Sequence, residues 1–173
     1  MALHEMLILA LVAALAWGAV NDVMWFRIPN AVPVVILALF PAYLLAGGQG
    51  MAQLHWAIAI AAGTFLVGAF MFSRGWMGGG DVKLLTVLAL WAGPAQFPTL
   101  LIMTSLAGGA LALIGLLPGR AAMIAWVALN LRIALALPEA PRSNSGRRTL
   151  PYGVAIAFGG LMLCAQLKLA GAA

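Results

Sequence analysis

Charge is what this sequence has least of. Only 8% of its 173 residues are charged, and the carboxylates number four: Glu5, Asp22, Asp81 and Glu139. A soluble domain needs a polar shell with roughly a quarter of its residues charged, so a water-soluble globular fold is excluded. Cysteine is almost absent too. Cys164 stands alone, which rules out an intrachain disulfide and a cysteine-based zinc site. Inside the last apolar run it reads as a small buried hydrophobe. The two histidines, His4 and His55, give no metal-ligand spacing, and neither a nucleophile elbow nor a phosphate loop is present. Neither a metal nor a cofactor is implied.

Apolar side chains are abundant instead: 65% of the chain is hydrophobic, and the mean hydropathy is +1.08. The solvent is mostly a bilayer, and the expected fold class is all-α, because only helices satisfy their own backbone groups within such a span. Apolar runs predict helices at about 4–23, 31–47, 53–72, 81–95, 97–117 and 151–170. Together they make six transmembrane helices in one compact domain over 1–173. The stretch 121–137 carries Asn130 and Arg132, and an Arg at mid-span costs a few kcal/mol. It is expected to lie in the cytoplasmic interface. The head of the first run, Met1 to Glu5, has no Lys or Arg, so a retained first span is expected rather than a signal peptide.

The net charge of +5 could suggest nucleic acid, but the cations have a simpler, topological meaning. With six spans, Arg27, Arg74, Lys83, Arg120, Arg132, Arg142, Arg147 and Arg148 all fall on one side, and only Lys168 falls near the other. That side is the cytoplasm. No nucleic-acid partner is expected; the lipid bilayer is. The outer turns, Gly47 to Gly50 and Gly93 to Gln96, are short and uncharged, and the six tryptophans read as interfacial anchors.

On that topology Asp22 and Asp81 lie at the cytoplasmic ends of the first and fourth spans. An ionisable group in a membrane is expensive and therefore a functional candidate. Separately, each has an ordinary explanation: Asp22 as a membrane-edge carboxylate paired with Arg27, Asp81 as a helix N-cap. Their coincidence on one face points to chemistry. A fourth helix of 13 to 15 residues is only about 20 Å long, which sets Asp81 somewhat below the interface. Gly78, Gly79 and Gly80 would let the backbone dip there, through φ > 0 or close approach of another chain. Two aspartates a few Å apart share one proton, because adjacent negative charges repel. The ionised member can then take a proton from water while the neutral one donates to a scissile carbonyl.

Three motifs carry a family resemblance. Asp22 followed by Arg27-Ile28-Pro29-Asn30, then Gly78-Gly79-Gly80-Asp81-Val82-Lys83, then Pro151-Tyr152-Gly153 resemble, in order, the signatures of the type IV prepilin peptidases. The resemblance implies that Asp22 and Asp81 are a catalytic dyad. It also implies a role for Gly78, Gly79, Gly80, Pro151, Tyr152 and Gly153 around the substrate. The substrates implied are prepilin and pseudopilin precursors, whose short basic leader is removed on the cytoplasmic side of a bacterial inner membrane during pilus assembly. Only a few residues separate the first two spans, so the chain looks like the short form associated with Flp or tight-adherence pili. From the residues themselves, Asn30 is expected to cap the second helix, Pro151 to open the last, and Lys83 to snorkel toward lipid phosphates. The rival reading is a small proton-coupled transporter or membrane scaffold subunit.

Overall fold

A computed structural model describes residues 3–47, 51–116 and 152–170, together with residues 127, 129, 130, 133 and 134. The described residues form helices and their connections and no strands: α1 (Leu3–Trp25), α2 (Ala31–Leu45), α3 (Met51–Ser73), α4 (Gly79–Leu116) and α5 (Tyr152–Ala170). Four of them, α1, α3, α4 and α5, are long and apolar enough to cross a membrane, and α2 is a shorter apolar helix. The protein is an all-α polytopic membrane protein. Most of the 121–137 stretch, and Pro151, lie outside the described residues.

The outer surface supports this as strongly as the core. Leu37, Ile58, Phe65, Leu66, Leu106 and Leu113 are all exposed, and α3 buries little beyond Ala57, Ala61 and Gly68. Helices apolar on every face are stable only where lipid covers what protein does not.

The long element α4 is two helices. Gly93 has φ 56° and ψ −169°, a conformation essentially reserved for glycine, and Pro94 and Pro98 follow it. The limbs 79–92 and 94–116 run in opposite directions along α5. Leu88 of the first and Leu100 of the second both lie at the Gly159–Gly160 step of α5, whereas Gly108 lies beside Tyr152, at the start of that helix. The chain therefore turns back at Gly93, where Gly-Pro punctuation predicted an outer turn.

Helix α5 packs against α1 and α4, while α2 packs on α1 and α4, and α3 on α4. Close approach rests on glycines that present no side chain. A Cβ on Gly160 would meet Leu15 at 2.8 Å and Leu88 at 3.2 Å, and one on Gly68 would meet Val82 at 2.7 Å. Small residues at helix contacts are the usual means of packing in lipid, where burial of apolar area gives no advantage. Leu11, Leu15, Val32, Ile36, Leu84, Leu88 and Ile156 fill the centre.

At the end of the bundle away from the aspartates, Trp91 stacks on Tyr43 with centroids 4.5 Å apart and donates its indole N–H to the Ile36 carbonyl at 3.0 Å. Trp91 is fully buried. It is thus a core residue and not an interfacial anchor, whereas Trp17, Trp56 and Trp76 are exposed.

Candidate active site

Two chain breaks bring the aspartates to one end of the bundle. Pro29 has no N–H and its ring would collide with the carbonyl one turn back, so α1 cannot continue through it. The helix ends at Trp25, and Phe26 turns the chain with φ 49° while its N–H still reaches the Asp22 carbonyl at 2.9 Å. Ile28, preceding proline, is pushed toward extended backbone, and α2 begins at Ala31. The second break is the end of α3. Gly75, at φ 72°, donates to Phe72 O at 2.9 Å, and Trp76 donates to Met71 O at 3.0 Å. This pair of bonds is the Schellman arrangement, which satisfies the last carbonyls and reverses the chain. Arg74 lies over the Phe70 ring at 5.1 Å, and Trp76 meets the same ring edge-on.

The next helix opens at the glycine run. Val82 N–H bonds to Gly78 O at 3.1 Å, so Gly78 is the cap and Asp81 stands three residues in. The Asp81 carboxylate reaches back to the Gly78 N–H. This is one half of a capping box, with Asp81 as its third-position acid and a glycine at the cap that has no side chain to return the bond. Asp81 is therefore not the N-cap that its position suggested. Gly78, Gly79 and Gly80 also do not use left-handed backbone; among the described residues positive φ falls on Gly47, Gly75, Gly93 and Phe26. What the run supplies is room. A Cβ on Gly78 would stand 2.7 Å from Asp81 Oδ2, and one on Gly80 would stand 3.1 Å from Ile28 Cβ and 3.4 Å from its carbonyl oxygen.

Asp22 is buried. The first N–H groups of α5, those of Gly153 and Val154, reach its carboxylate, while its Oδ2 completes no hydrogen bond of good geometry. A helix N-terminus with free N–H groups suits a carboxylate. Gly153 makes this approach possible, since a Cβ there would lie 2.8 Å from Asp22 Oδ2 and 2.8 Å from Ile28 Cδ1. Ile28 is thus wedged between the glycines of two helix starts, Gly80 and Gly153. Ile28 lies within the Arg27 to Asn30 motif, and its own signal in the sequence is an apolar side chain held directly before proline.

Asp22 and Asp81 line one open cavity of about 650 Å³, walled by residues 25–30 and 78–80 together with Asn21. The two carboxylates are close enough for their charges to repel. Neither makes an ion pair with a described residue, so the expected pairing of Asp22 with Arg27 is not formed. Among the described residues, no three His, Cys, Asp or Glu side chains gather as a metal site would require. Of the other predicted site residues, Gly78, Gly79 and Gly80 line the cavity. Gly153 stands behind Asp22, and Tyr152 is exposed and lies over Gly108.

Asn30 and Lys83 behave differently from expectation. Asn30 precedes α2 but makes no side-chain cap; its Oδ1 accepts a hydrogen bond from Lys83 Nζ at 2.9 Å. Lys83 is thereby tied to protein, joining the loop after Asp22 to the helix that carries Asp81.

The model of the type IV leader peptidase family matches residues 9–113. The chain belongs to that family. The match spans both aspartates, the Arg27 to Asn30 turn and the glycine run, and stops short of the Pro151-Tyr152-Gly153 motif. No curated protein and no solved structure matches the chain. Family membership makes the chain a peptidase of the leader-removing kind, embedded in a membrane.

Proposed function

We propose that this leader peptidase is of the aspartic type, with Asp22 and Asp81 activating water between them, and that it removes the short leader of prepilin and pseudopilin precursors. The observation that carries the reading is the cavity shared by the two carboxylates, with a glycine run for one wall and, among the described residues, no cation paired to either. An ionised and a protonated carboxyl facing one space can divide the work. One takes a proton from the attacking water, the other donates to the oxygen of the scissile carbonyl. The tetrahedral intermediate then collapses as the proton returns to the leaving amine.

A peptide must be extended to be cut. The glycine run offers such a segment a wall without side chains beside Asp81, and Gly153 and Val154 fix the opposing carboxylate with backbone N–H groups. With α4 divided at Gly93, the six helical segments are read as six crossings of one domain. Arg27, Arg74 and Lys83 all lie at the aspartate end, which we assign to the cytoplasmic face of a bacterial inner membrane. The short link between α1 and α2 favours the short form that serves Flp-type pili.

The test is co-expression with a precursor and a gel shift for leader loss. The wild-type chain should convert the precursor, and Asp22→Asn and Asp81→Asn should leave it uncut while still inserting in the membrane. Conversion by either variant would overturn the assignment.

A further inference from the structure

We infer that Phe26 is a substrate-contacting residue that selects precursors by an apolar side chain next to the scissile bond; this rests on the peptidase reading above. Among the described residues Phe26 is the only one other than glycine with positive φ, at 49°. Left-handed backbone is disfavoured for a residue with a Cβ, and helix ends of this kind ordinarily use glycine or asparagine. A strained backbone persists where the surroundings hold it and tends to mark a working site. Phe26 is held by its N–H bond to the carbonyl of Asp22 itself, 2.9 Å away.

The side chain is placed where that strain has a use. Phe26 lines the cavity that holds Asp22 and Asp81, and 42% of its surface is open. A ring that only anchored the protein in lipid would need no left-handed turn, as Trp17 and Phe65 show from ordinary helical positions. The glycine wall offers the substrate nothing to grip at 78–80, so recognition of side chains has to come from the other wall, residues 25–30. There Phe26, whose N–H closes the last turn on the Asp22 carbonyl, is exposed and lines the cavity. The ligand chemistry is an aliphatic or aromatic side chain on an extended peptide segment.

Two measurements on the full chain in detergent test this. First, a photoreactive benzoylphenylalanine is placed at position 26, and separately at Phe65 as a lipid-facing control, in the Asp22→Asn/Asp81→Asn background with a synthetic precursor. Capture of the precursor next to its scissile bond from position 26, and not from position 65, is expected; capture of detergent or lipid alone would overturn the inference. Second, Phe26→Ala and Phe26→Gly should melt no lower than wild type and raise KM about tenfold for a precursor with a large apolar residue beside the cut. For the same precursor with alanine there, the change should be under threefold. Equal KM values for both precursors in variant and wild type would overturn it. The two readings fail separately. Capture at position 26 without cleavage by the wild-type chain removes the peptidase reading and keeps the contact, whereas cleavage without capture does the reverse.

Discussion

Replacing Gly153 with alanine adds one methyl group at the point where α5 meets Asp22. The new Cβ would stand 2.8 Å from Asp22 Oδ2, 2.9 Å from its Cγ and 2.8 Å from Ile28 Cδ1. Ordinary contact begins at 3.4 Å, so the carboxylate or the helix start must move by about 0.6 Å. A misplacement of 1 Å at reacting groups costs on the order of 100-fold in rate. About half of that displacement corresponds to roughly tenfold, or ~1.4 kcal/mol of barrier. Stability should fall by about 0–2 kcal/mol, since the helix gains up to ~1 kcal/mol by exchanging glycine for alanine and loses ~1–3 kcal/mol to crowding. Gly63 on α3 is the control, because its Cβ would meet nothing within 4 Å. Gly63→Ala should gain up to ~1 kcal/mol of stability at full activity. The assay is the initial rate of leader removal by purified protein in detergent, alongside thermal unfolding. If Gly153→Ala cuts within twofold of wild type, or Gly63→Ala slows equally, the placement of Asp22 by α5 is refuted.

Two further outcomes follow from the same contacts. Lys83→Met and Asn30→Leu each remove the 2.9 Å bond between the Asp22 loop and the Asp81 helix. Each should lower the cleavage rate severalfold and stability by about 1 kcal/mol, with the double variant no worse than either single one; additive losses would show that the two residues act separately. Gly93→Ala forces a Cβ into φ 56°, ψ −169° at the turn of α4 and should destabilise by about 1–3 kcal/mol, measured by thermal unfolding in detergent. An unchanged melting point would contradict the observed backbone there.

The helices were legible because hydropathy responds to lipid, and the reversal at Gly93 because glycine followed by proline leaves a helix no way to continue. The aspartates stood out because so few charges share the chain with them. Side-chain destinations were harder to read. Periodicity normally reveals which helix face is buried, but here lipid and core are equally apolar, so nothing in the pattern separated buried Trp91 from exposed Trp76. Asn30 was a sound cap by local preference, yet Lys83, 53 positions on, took its oxygen. Phe26 gave no sign of left-handed backbone because the usual marker, glycine, is missing. Gly153 belongs to a motif legible in the sequence, but that it also seats Asp22 follows only from the packing of α5 on α1.

The claim that Asp22 and Asp81 work as one unit is tested most directly by single-turnover cleavage with purified protein carrying Asp22→Asn, Asp81→Asn, or both. Groups that share one step are non-additive, so the account predicts that each single variant loses as much rate as the double one. Losses that multiply from single to double, or cleavage retained by either single variant, would contradict it.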